Sequence, residues 1–163
     1  MLKIRDAKPL FALSTLLIPW DVFRFGQELG WGVHFPLVRY DTAGGQQFFT
    51  VLELFQLSRS YNTADSFAIL VWLVAGAITG VAALYVVLAR LLNGTTRRSE
   101  DRVVGAAFGL AGGLFLLSRF TLYDFLLVGS SSDVFWYSIP FGALYTLFVG
   151  GIFYWNEFQL GGT

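Results

Sequence analysis

Apolar residues along this chain gather into long runs separated by short polar stretches. A run from Pro9 to Trp20 continues through Asp21-Val22-Phe23-Arg24-Phe25 and reads as a helix over about 9–27. Nineteen residues at about 1.5 Å each give about 28 Å, just enough for the hydrocarbon core of a bilayer. Phe67 to Leu92 is the clearest run, with one charge, Arg90, at its end. Val103 to about Val128 forms a third, and Phe135 to Trp155 a fourth, opening on Trp136-Tyr137 and closing on Tyr154-Trp155 as an interfacial aromatic belt does. The pattern predicts an all-α membrane bundle of four transmembrane helices, about 9–27, 67–92, 103–128 and 135–155, forming a single membrane domain over 1–163.

Between the first two runs lies a connection over 28–66, punctuated by Gly30, Gly32, Pro36, Gly44 and Gly45. Within it, 46–57 reads as a short amphipathic helix with Phe48, Val51, Leu52 and Phe55 on one face. Twelve residues do not span, so an interfacial or a re-entrant helix is expected. The basic start resembles a signal peptide, but no small-x-small cleavage pattern follows, so the first helix is read as retained.

Composition supports lipid as the solvent. Of 163 residues, 55% are hydrophobic and 13% charged, against roughly a quarter charged in a soluble domain. Eleven basic residues balance eleven acidic ones, which is no nucleic-acid footprint. Lys3, Arg5, Lys8, Arg90, Arg97, Arg98 and Arg102 flank one side of the expected membrane, and only Arg39 and Arg59 the other. That bias predicts cytoplasmic N- and C-termini and an extracytoplasmic 28–66 loop in the cell membrane. Small residues at four-residue spacing (Gly76 and Gly80; Gly105, Gly109 and Gly113; Gly142, Thr146 and Gly150) are expected to hold helices together. A homo-oligomer face is the lesser reading of the same ridges.

Candidate chemistry is sparse. With no Cys and a single His34, neither a thiolate nor a zinc site is expected, nor any cofactor. His34 reads as a structural loop residue. Ionisable groups inside spans are costly, which singles out Asp21, Arg24, Arg119 and Asp124. Asp21 and Arg24 are expected to pair three apart on one helix, and all four to gather in the outer leaflet with Glu53 and Tyr123 or Tyr137. Such a cluster is either a structural pairing or a binding or ion site. Catalysis is disfavoured because Ser118 and Ser138 have no evident base.

An ordered series, Ile18-Pro19-Trp20, Glu100-Asp101-Arg102-Val103, Ile139-Pro140-Phe141-Gly142 and Tyr154-Trp155, resembles a family of uncharacterised four-helix membrane proteins of halophilic archaea, encoded near archaeosortase. The segment from Gln46 to Leu57 departs from that family's pattern. The resemblance implies a role in the archaeal cell envelope, and the absence of Cys excludes the sortase reaction itself. The expected function is therefore a non-enzymatic membrane accessory that binds a membrane-protein partner through 28–66. The alternative is a small transport component or channel with the charged cluster as its polar site.

Overall fold

A computed structural model describes residues 4–26, 30–42, 45–58, 63–93, 98–123, 128–131 and 134–155. The described chain runs α1 (Ile4–Leu17), β1 (Asp21–Phe25), β2 (Gly30–His34), β3 (Val38–Asp41), β4 (Gln47–Thr50), α2 (Val51–Ser58), α3 (Thr63–Asn93), α4 (Arg98–Tyr123), β5 (Val128–Ser131), β6 (Val134–Ile139) and α5 (Phe141–Trp155). The strands form one antiparallel sheet in the order β4-β3-β2-β1-β6-β5. The fold is therefore mixed α/β, and the all-α expectation is wrong.

Two prolines account for most of the difference. Pro19 disfavours helical backbone at Ile18, so α1 stops at Leu17 and the following residues are free to extend. Asp21 and Phe23 then turn inward while Arg24 faces out, a period of two that the expected helix over 9–27 had absorbed. Gly26 (φ 55°) and Gly30 (φ 120°) adopt left-handed backbone where the chain leaves β1 and enters β2. Pro140 divides the expected fourth span in the same way: β6 precedes it, and α5 follows with the Pro140 carbonyl accepting the Leu144 amide at 3.1 Å. Gly142 and Ala143 donate to the carbonyls of Pro19 and Trp20 at 3.1 and 3.3 Å, satisfying the open start of α5.

The second and third expected spans lie within or close to α3 and α4, although α4 ends at Tyr123 rather than near Val128. These two helices are long and apolar enough to cross a membrane. With 14 and 15 residues, α1 and α5 are shorter. The loop expected over 28–66 holds β2, β3, β4 and α2. Helix α2 begins at Val51, with Phe48 on the preceding strand, and turns Val51, Leu54 and Phe55 into the protein core.

Around the helical layer, α1 packs on α3 and α5, α3 on α4, and α4 on α5. Its core has two centres. One gathers Ala83, Val86, Phe108 and Phe153 away from the sheet, and the other gathers Trp20, Trp72, Phe115 and Ala143 beneath it. The glycines divide into two kinds. A Cβ on Gly105 would lie 2.4 Å from the Tyr154 nitrogen, on Gly150 2.8 Å from the Gly109 nitrogen, on Gly142 2.5 Å from the Trp20 Cα, and on Gly76 2.1 Å from the Pro36 oxygen. At Gly80 and Gly113 it would meet nothing within 4 Å, so these two are not the close-packing positions expected of them, whereas Gly109 offers its backbone to Gly150 although its own Cβ direction is open. Gly112, which the spacing did not single out, does pack, its Cβ position 2.7 Å from Leu147.

Candidate functional site: a buried charge cluster between sheet and helices

Asp21 opens β1, His34 closes β2, Ser138 lies on β6 opposite Phe23, and Arg119 lies on α4. All four side chains are buried, three of them with zero exposure. Arg119 Nε donates to Ser138 Oγ at 2.8 Å, and its Nη2 donates to the Ser138 carbonyl at 2.7 Å. Ser138 Oγ–H donates to Asp21 Oδ1, which also lies 3.3 Å from Arg119 Nε. His34 Nδ1 donates to the other carboxylate oxygen, Oδ2, at 3.2 Å. One carboxylate thus ties α4 to three strands.

Aromatic rings wall the cluster. Trp20 and Phe23 stack on the His34 imidazole with centroids at 5.2 and 4.8 Å, and Trp72 meets it edge-on at 4.7 Å. The indole nitrogens of Trp20 and Trp72 both donate to the Phe35 carbonyl, at 3.1 and 3.0 Å. A carboxylate only accepts hydrogen bonds, so the neutral imidazole carries its proton on Nδ1. Nε2 is buried without a hydrogen-bond partner among the described residues. Burial lowers the His34 pKa below its ordinary value; the Asp21 hydrogen bond opposes this but is the smaller effect.

Of the expected cluster, the structure brings together Asp21 and Arg119. Arg24 is exposed on β1, because positions three apart on a strand face opposite ways; it lies opposite Tyr137 in register. The expected helical Asp21–Arg24 pair does not form. Glu53 is exposed and caps α2, accepting from the Thr50 amide at 2.7 Å and the Thr50 hydroxyl at 2.8 Å. Tyr123 joins the periphery, 6.4 Å from His34 between ring centroids. Asp124 lies outside the described residues. Sequence reasoning missed His34 and Ser138 as members. The boundaries of the strands that carry Asp21 and Ser138 are marked by Pro19 and Pro140, but no local pattern assigns Ser138 or His34 to the cluster.

The arrangement is not a serine–imidazole–carboxylate relay. Nucleophilic catalysis needs the imidazole between serine and carboxylate, whereas here the carboxylate sits between serine and imidazole. Among the described residues, the hydroxyl groups of the helical layer do not extend the cluster into a polar path. Thr15, Thr79 and Thr146 return their hydroxyls to carbonyls of their own helices, and Ser118 donates to Ala68 on α3. A second buried pair closes the far end of the layer, where Lys8 Nζ donates to Asp101 at 2.6 Å with Phe153 beside it.

Two segments of the ordered series meet at the cluster, since Gly142 abuts the backbone of Pro19 and Trp20. No family model and no curated protein matches the chain.

Proposed function

We propose that this chain is a non-enzymatic integral membrane protein of the cell envelope. Its helical layer lies in the bilayer, and its sheet stands at the extracytoplasmic surface as a docking face for a protein partner. The observation that carries this reading is the inverted distribution of polarity across the helices. Outward positions are Leu10, Leu13 and Leu17 on α1, Val81, Leu84 and Leu91 on α3, Val103, Leu110 and Leu117 on α4, and Leu144 and Phe148 on α5. Inward positions include Lys8, Thr15, Thr79, Asp101, Ser118, Arg119 and Thr146. Water selects the opposite arrangement, while lipid makes an apolar exterior costless and drives polar groups inward.

The sheet supplies the docking surface. Trp31, Tyr40 and Phe48 form an aromatic row across β2, β3 and β4, with centroids 5.4 and 4.7 Å apart. Trp31 is 48% exposed and Phe48 73% exposed at the sheet edge. Aromatic side chains presented on a rigid support suit a protein interface. Beneath them the buried cluster fixes the sheet to α4, so the face is presented in one orientation.

The absence of Cys makes the test direct. Thr42→Cys, directly after β3, is expected to react with a membrane-impermeant maleimide in intact cells, and Arg98→Cys only after permeabilisation. A photo-crosslinker at Phe48 is expected to capture one stoichiometric protein, lost on Tyr40→Asp, while one at Leu84 captures lipid alone. Purification of the chain alone, with a retained small molecule and no crosslinked protein, would overturn the docking role.

A further inference from the structure

We propose that His34 is an acid-operated latch whose protonation releases the sheet from α4. The latch rests on the reading above only for its setting, a surface open to changes of external pH.

The geometry sets the direction. In the neutral state His34 needs one acceptor, and Asp21 Oδ2 supplies it at 3.2 Å. The other oxygen of Asp21 is already shared by Ser138 and Arg119. A second proton would turn Nε2 into a donor, and among the described residues it has no acceptor. The new charge would also be confined between Trp20, Phe23 and Trp72 at zero exposure.

The surrounding charges do not rescue it. Asp21 on β1 attracts the imidazolium but is already committed to Arg119 on α4. On β3, Arg39 lies 4.8 Å above the opposite ring of the stack, Phe23, and is itself paired with Asp41. Tyr123 on α4 faces the imidazole with ring centroids 6.4 Å apart. Among the described residues, Asp21 and Asp41 are balanced by Arg119 and Arg39, so together with His34 these groups sum to zero only while the imidazole is neutral. Burial outweighs the attraction of both carboxylates, so the proton binds the opened junction more tightly than the closed one. Acid then drives β2 away from its aromatic walls and takes Asp21 with it.

His34 is the only histidine, so one imidazole signal reports the event. The experiment follows that NMR signal and backbone hydrogen exchange in the full chain, held in lipid nanodiscs, from pH 7.5 to 5. After correction for intrinsic rates, exchange at β1 and β2 is expected to rise by up to about tenfold per pH unit below about 6.5, the ordinary imidazole value. It should rise together with the appearance of protonated imidazole, while the middle of α3 stays protected. His34→Asn keeps a donor toward Asp21 and cannot be charged, so its exchange should stay flat within about twofold.

An imidazole that becomes charged while β1 and β2 keep their protection would overturn the latch. So would an equal acid response in His34→Asn. If that variant does not fold, the wild-type coincidence of charge and exchange decides alone. Crosslinking of a partner at pH 7.5, where the latch is closed, tests the docking role independently.

Discussion

Arg119 Nε lies 3.3 Å from Oδ1 of Asp21, and both side chains have zero exposure. A pair so enclosed is a weak source of net stability, because desolvation offsets much of the attraction. Its importance appears when one partner is removed.

Asp21→Asn and Arg119→Met are each expected to cost about 3–5 kcal/mol, since each leaves an uncompensated buried charge. The double variant should cost clearly less than the sum, as the charge itself is gone. Unfolding in denaturing detergent, arranged as a double-mutant cycle, measures the difference; simple additivity would mean that the two groups do not interact.

Lys8→Met breaks the pair at the other end of the helical layer and is expected to cost a similar amount, about 3–5 kcal/mol. Combined with Asp21→Asn it should add within about 0.5 kcal/mol, because the two pairs lie at opposite ends of the helical layer. The same unfolding assay reads both.

Glycine-to-alanine substitutions separate packing from open positions. Gly105→Ala and Gly142→Ala place a methyl group 2.4 and 2.5 Å from neighbouring backbone atoms and are expected to cost about 1–3 kcal/mol or more. Gly80→Ala and Gly113→Ala meet nothing and gain helix propensity, so they should be neutral or stabilising by up to about 1 kcal/mol. Thermal stability in one detergent is sufficient to rank all four.

Glu53 ties pH to the start of α2. The Thr50 amide, followed by the Thr50 hydroxyl, holds its pKa below the ordinary glutamate value. A depressed carboxylate contributes stability above its unfolded pKa and loses it as the pH falls through the folded one. Hydrogen exchange in α2 should therefore accelerate in acid in the wild type. Glu53→Gln should be less protected at pH 7 and insensitive to the same acid step. His34 acts in a different window and on different strands, so the two responses can be separated.

The long apolar helices were legible because composition alone marks them: α3 encloses the expected 67–92 span, and α4 differs from 103–128 by about one turn at each end. The strands were hidden by their length. Asp21–Phe25 has only five residues, too few to set a period of two against the apolar run preceding it. Pro19 carried the missing boundary, and so did Thr50-Val51-Leu52-Glu53, a capping-box spacing that starts α2 after a strand. The pairing of Asp21 with Arg119 was foreseeable from the cost of burying either. The membership of Ser138 and His34 was not, because it depends on which strands become neighbours, and no local pattern encodes that.

Strand β1 lies between β2, a few residues onward, and β6, which the chain supplies only after α3 and α4. Arg119 and Ser138 reach Asp21 through the same late segments. During synthesis the first four strands must therefore wait without the Arg119 partner of Asp21 until α4 is made, and with a bare edge until residues 134–139 emerge. Long-range closures of this kind are slow and expose partly built sheets to wrong pairings. Truncation anywhere before β6 should leave an unfinished sheet with an open β1 edge, a natural substrate for quality-control proteases.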